Sequence, residues 1–156
     1  MRPILVGEAP GPNTDPYRPL NCDESTSAGG RLRDIMRIDR DQYNMMFDKI
    51  NLMPLKPDRW SIPESREKAD KLMRFLYNRD VFLLGKRVAH AFGMMERQFF
   101  DGLHCGQTVL YVVPHPSGLN RWYNDAENVE ISRQFWHDTI EGYILYNECD
   151  IIENSQ

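Results

Sequence analysis

Three short stretches of the chain gather the residue types that chemistry needs, and each follows an apolar run. The first is Gly7-Glu8-Ala9-Pro10-Gly11, with Asp15 four residues past Gly11 on a loop stiffened by Pro12, Pro16 and Pro19. The second is Asn51, which follows Ile50 and precedes a proline-rich segment. The third is His115-Pro116-Ser117-Gly118-Leu119, directly after Pro114. A carboxylate at Glu8 or Asp15 can orient or activate water. The Asn51 carboxamide offers an acceptor and a donor side by side, enough to read one edge of a ring. A neutral His115 imidazole can donate to an oxygen on which charge develops. Ala9, Pro10 and Gly11 let the backbone approach a ligand closely. Each residue also has a plainer reading. Asn51 can satisfy loop backbone after a strand. His115 can cap a turn before Pro116, Asp15 can open a turn before Pro16, and Glu8 can hold its own loop through backbone N–H groups.

These stretches act together only on a scaffold that gathers strand ends. Ile4-Leu5-Val6 ended by Gly7 reads as a buried strand, and Asn44 to Ile50 as a second. Val81-Phe82-Leu83-Leu84 closed by Gly85 reads as a third, and the β-branched run Thr108 to Val113 as a fourth. Residues 8–30 carry Pro10, Pro12, Pro16, Pro19, Gly11, Gly29 and Gly30 and read as loop. Leu32, Ile35 and Met36 predict a helix over about 29–38. The box Ser61-Ile62-Pro63-Glu64 opens one over about 62–78. Lys86 to Phe92 predicts a third helix, and a last one covers about 125–146, with Val129, Ile131, Phe135, Trp136, Ile140 and Ile144 on its buried face. Strands alternating with helices predict an α/β fold of three layers, α/β/α, around a four-stranded, mostly parallel sheet. Ligands of such sheets bind beyond the carboxyl ends of the strands. The three stretches are therefore expected on one rim of a single domain spanning 1–156.

Gly7-Glu8-Ala9-Pro10-Gly11 with Asp15 resembles the first signature of the uracil-DNA glycosylase superfamily, closest to its family-four branch, and His115-Pro116-Ser117-Gly118-Leu119 resembles the second. Between them, Ile50-Asn51 is similar to the strand end that carries the base-reading asparagine. Val81 to Ala89 resembles the third strand and the following helix, and Ser27 to Leu32 the glycine-rich helix start. The resemblance runs over residues 4–123. It implies a DNA glycosylase that flips out uracil or a related, modified pyrimidine and hydrolyses the N-glycosidic bond. Asn51 would read the base. His115 would donate to base O2. Asp15, or failing it Glu8, would position water. Ala9, Pro10, Gly11, Tyr17 and Leu20 would wall the base site. Ser27, Gly29, Ser117 and Gly118 would hold phosphates, Leu119 would fill the gap left by the base, and Asn120 and Arg121 would touch the opposite strand or a phosphate. Leu119 as a buried loop anchor is the structural alternative. Two residues depart from the pattern. Ala9 stands where the most active branches carry an acid or amide, and Leu20 stands where an aromatic residue stacks on the base, with Tyr17 as the nearest substitute.

The family-four branch binds an iron–sulfur cluster through four cysteines, whereas this chain has three, Cys22, Cys105 and Cys149, with no C-x-x-C pair. Neither a cluster, a metal nor another cofactor is expected. An odd cysteine count fits a reducing cytoplasm. Neither a signal-peptide core nor a run of the roughly 18 apolar residues a membrane span requires is present in the sequence. DNA, no membrane and a monomeric state are the expected partners and assembly. The net charge of −4 does not itself point to nucleic acid, but it is uneven. Residues 124–156 hold eight acids against Arg133 alone, so the first 123 residues are mildly basic. A second function class, motivated by Ala9 and Leu20, is a non-catalytic protein on the same fold that recognises a base or damaged DNA.

 Ala9 cannot activate water, and an aliphatic wall at Leu20 gives a base nothing to stack on, which is what motivates that second class. An unrelated nucleotide-binding enzyme is disfavoured by the lack of a P-loop or G-x-G-x-x-G.

Overall fold

The computed structural model describes residues 1–153, with side chains described through 147. Cys149 and the acids Glu148, Asp150 and Glu153 lie outside the residues whose side chains are described. The chain runs β1 (Ile4–Gly7), α1 (Ala28–Met36), α2 (Arg40–Met46), β2 (Asp48–Asn51), α3 (Ile62–Met73), β3 (Asp80–Leu84), α4 (Lys86–Ala91), β4 (Gly102–Cys105), β5 (Thr108–Val113) and α5 (Ala126–Glu153), with a 3-10 turn at Arg121–Asn124. The strand order is β2-β1-β3-β5-β4. β2, β1, β3 and β5 are parallel, and β4 pairs antiparallel with β5.

Successive residues of a strand point to opposite faces, and that alternation builds two cores. Ile4, Val6, Val81, Leu83, Leu110 and Val112 pack on one face with Ala69 of α3 and Val88 and Ala89 of α4. Leu5, Phe82, Leu84 and Val113 pack on the other with Leu32 and Met36 of α1, Tyr43 of α2, and Trp136 and Ile140 of α5. The result is the three-layer α/β/α arrangement that the sequence predicts.

The sheet has five strands rather than four. β4 is a short, largely exposed edge strand without a β-branched run, so it carries little apolar signal. It turns into β5 through Gly106 and Gln107, with Gly106 at φ +64°, the left-handed conformation that tight hairpins require. The stretch from Asn44 does not begin a strand either. Asp39 and Gln42 form a capping box that starts α2, and β2 is left with Asp48–Asn51. α3 stops at Met73, short of 78, and α5 runs on past 146 to Glu153. On α5, Trp136 and Ile140 are buried but Ile131 and Ile144 are exposed. At about 100° per residue, Ile131 sits roughly 140° round the helix from Trp136. The small Ser132, one turn before Trp136, takes the buried position instead.

Candidate active site at the carboxyl rim

Because β2, β1, β3 and β5 run parallel, their carboxyl ends form one rim, and all three chemistry-bearing stretches leave from it. Gly7 pairs in register with Asn51 across β1 and β2. The ladder continues beyond the strands, with the Leu52 N–H donating to the Gly7 carbonyl and the Met53 N–H to the Glu8 carbonyl, both at 2.8 Å. This fixes the start of the Glu8–Gly11 loop against the exit of β2. The Asn51 carboxamide lies directly over Gly7: a Cβ there would stand 2.6 Å from Asn51 Oδ1 and 3.2 Å from the Leu20 side chain. Glycine at position 7 is thus a requirement of space.

A cavity of about 50 Å³ opens beside this contact. Ala9, Pro10, Gly11, Asp15, Leu20, Ser27, Gly29 and Asn51 line it, together with Thr14, Arg18 and Asn21. At roughly 30 Å³ per water, it has room for one or two water molecules. Asp15 Oδ1 accepts from the Tyr17 N–H at 2.9 Å, closing a turn over Pro16. The plainer reading of Asp15 as a turn former therefore describes one of its oxygens. Its other oxygen, Oδ2, has no hydrogen-bond partner among the described residues. Leu20 adopts φ +52°, its carbonyl accepts from the Tyr43 hydroxyl at 3.1 Å, and its side chain covers Gly7. Burial pushes the Tyr43 phenol well above its ordinary pKa, so it stays a neutral donor. Tyr17 is not in the cavity. Its side chain is 92% exposed, and it lines a neighbouring groove with Asn44 and Lys49.

His115 and Glu8 stand outside that cavity, further along the rim. With β1 and β3 between β2 and β5, Asn51 and His115 leave strands three spacings apart, about 14 Å. Two side chains and an intervening ring can bridge that distance. The His115 ring is seated on Gly85, where a Cβ would meet it at 3.0 Å. Its Nδ1 accepts from the Ser117 N–H at 3.1 Å. Nδ1 therefore carries no proton, and the neutral ring presents Nε2–H as a donor. Burial lowers the His115 pKa below 6.5, and the nearby Glu8 carboxylate opposes that shift only in part. Glu8 itself faces the Arg87 guanidinium at 3.6 Å, and Arg87 lies over the Trp60 ring.

The loop after His115 is braced from within. Asn120 Nδ2 donates to the His115 carbonyl at 2.8 Å, Asn120 Oδ1 accepts from the Trp122 N–H, and the Tyr123 hydroxyl donates to the Pro114 carbonyl. Asn120 is thereby committed to the loop. Leu119 is 94% exposed, so it does not anchor the loop, while Gly118 and Arg121 are also exposed. The Ser27 hydroxyl caps α1 by accepting from the Gly30 N–H and donating to the Asn21 and Glu24 carbonyls.

The structure also separates the charges. Arg31, Lys86, Arg87 and Arg121 stand near the starts of segments leaving the carboxyl rim. α5 runs away from that rim, and Tyr143 hydrogen-bonds Asp80 at the amino end of β3. Asp138 of α5 lies beside Asp80 and Tyr143 toward that opposite rim. A cavity of about 730 Å³ is also there and holds none of the three stretches. Among the described residues, no group of His, Cys, Asp and Glu is placed to hold a metal, and no helix is long and apolar enough to cross a membrane. Cys22 is buried in the core and Cys105 is exposed on β4, so the thiols do not fit a four-cysteine cluster.

Sequence reading overlooked Arg31, Tyr43, Trp60 and Arg87 as parts of this rim. Each enters through a tertiary contact that no local pattern announces, such as Tyr43 to Leu20 across 23 residues. No curated protein matches the chain. A family model described as the uracil DNA glycosylase superfamily matches residues 2–139. That superfamily consists in general of DNA glycosylases, hydrolases whose substrate is DNA. The matched region runs from β1 into α5 and includes every residue assigned to the rim, and the chain belongs to the uracil DNA glycosylase superfamily.

Proposed function

We propose that the chain is a monofunctional glycosylase that hydrolyses the N-glycosidic bond of uracil, or of a related pyrimidine, in DNA. The observation that carries this reading is the Asn51 carboxamide held over Gly7, in the same cavity as the Asp15 carboxylate. With an acceptor for N3–H and a donor for O4, Asn51 selects uracil over cytosine, whose edge presents the opposite pattern. The C1′–N1 bond breaks with its electron pair passing to the base, where negative charge spreads to O2. His115 Nε2–H is the donor for that oxygen. Water adds at C1′ and its proton leaves toward Asp15 Oδ2, while the carboxylate charge stabilises the oxocarbenium-like sugar. Glu8 is the weaker choice for this role, because Arg87 already engages it. Leu119, exposed on a braced loop, fills the stack after the base leaves it. The cavity is smaller than a base, so the Pro10–Asn21 loop moves outward as the base arrives.

A release assay on single-stranded oligonucleotide carrying uracil, read by alkaline cleavage at the abasic site, tests the reading directly. Base release is expected. Activity should persist in EDTA, since every step uses side chains alone, and its loss in a folded sample would contradict the mechanism. The acid limb of kcat/KM should fall with an apparent pKa below 6.5, because His115 must stay neutral to keep its Ser117 contact. A limb centred at or above 6.5 would remove His115 from that assignment.

One set of observations favours a second reading, a base- or DNA-recognition protein without catalysis. Ala9 supplies no acid, one Asp15 oxygen is committed to a turn, and Leu20 leaves no aromatic wall in the cavity. Binding of uracil-containing DNA with no release from any pyrimidine substrate would establish it.

A further inference from the structure

We infer that Arg31 is a ligand for a DNA backbone phosphate, held ready against the loop that carries Leu119. The inference rests on the proposed action on DNA. Arg31 is an early residue of α1, yet its guanidinium reaches the His115–Arg121 loop. A Cβ at Gly118 would stand 2.6 to 3.0 Å from Nη2, Cζ and Nη1, so the glycine lets the fork sit this close to the loop and any larger residue would push it away. Nε donates to the Thr26 carbonyl at 3.2 Å, which fixes the orientation of the fork. Both terminal nitrogens remain for a ligand.

The charge is also uncommitted. Arg18, Arg33 and Arg87 each have a carboxylate within 4 Å, at Asp23, Asp34 and Glu8. Arg31 has none among the described residues and is exposed. An unpaired guanidinium, oriented by a nearby backbone carbonyl and lying beside the residue before an exposed leucine, suits an anion that offers two oxygens to its fork, such as a phosphodiester. Seated on Gly118, Arg31 sets the distance between that phosphate and the Leu119 side chain. It would thus position the strand relative to the residue that fills the gap.

The experiment compares Arg31→Ala, Arg31→Lys and a control, Arg74→Ala, in binding to a uracil-containing single-stranded oligonucleotide over a range of salt. Arg74 is an exposed arginine just past α3, at the far end of the sheet from Arg31. Each phosphate neutralised on a single strand contributes about 0.7 to the slope of log K against log salt. Arg31→Ala should lower that slope by about 0.7 and weaken binding about tenfold at low salt. Arg31→Lys should keep the slope while binding more weakly than wild type, because a point charge replaces the fork. Arg74→Ala should match wild type. An unchanged slope for Arg31→Ala, in a protein that binds DNA, overturns the phosphate assignment alone, even if affinity drops. An equal loss of slope in Arg74→Ala also overturns it, by tracing the effect to overall charge. A wild type that binds no DNA overturns this inference together with the proposed function.

Discussion

Replacing Asp15 by asparagine should reduce base release by at least about 10²-fold and by as much as 10⁴-fold, the usual range for losing a general base. The substitution preserves shape. Asparagine can still accept from the Tyr17 N–H through its own oxygen, so the turn over Pro16 survives. What disappears is the negative charge facing the cavity. Binding of the uracil-containing strand should therefore change little while turnover collapses. Glu8→Gln is the companion measurement. If Asp15→Asn keeps wild-type turnover and Glu8→Gln does not, water is held on the His115 side of the rim and the assigned roles exchange.

Alanine at His115 should cost roughly 10²- to 10³-fold in kcat, the effect of removing one preorganised donor to a developing oxyanion. Asn51→Ala should reduce activity by about 10²-fold on the same ground. In the proposed mechanism the two differ in what accompanies the loss. His115 donates only as charge appears on O2, so its loss should fall on kcat. Asn51 reads the base before the bond breaks, so its loss should raise KM and blur discrimination between uracil and cytosine. Neither residue belongs to either packed core, and the thermal midpoints should move little. Wild-type turnover in either variant would remove it from the mechanism.

The strands that were easiest to read are those buried on both faces. β1, β3 and β5 each appear in the sequence as an apolar run closed by glycine or proline, and because the motifs follow those runs, their place on one rim was legible too. β4 was not, since an edge strand exposed to solvent needs no apolar signature. α2 was hidden because its evidence lay in the Asp39–Gln42 cap rather than in an apolar stripe. On α5, reading every large aliphatic residue as buried misplaced Ile131, which the helical phase at Trp136 turns outward, and Ile144, one turn beyond the buried Ile140. In the candidate site, Asn51 could be named because it ends an apolar run, and Asp15 through the resemblance of its stretch to the family's first signature. The Arg31–Gly118 contact could not, because it joins segments more than 80 residues apart and depends on how two loops fold back over the rim.

The pairing of Gly7 with Asn51 places the residue proposed to read the base on β2, an edge strand of the sheet only four residues long. Such strands fray at lower free energy than the interior of a domain. Its start is pinned by Asp48, which pairs with both Arg2 and Arg79, and its end is held by the Leu52 and Met53 amides and by the burial of those two side chains. On the proposed assignment, substrate choice therefore depends on the register of an edge strand. On heating, the protein should lose its discrimination first, with its secondary structure still intact. A slip of one residue would turn Asn51 to the other face of the sheet. With Asn51 as the proposed reader of the base, fidelity becomes a property of strand register, and its thermal limit is expected below that of the fold.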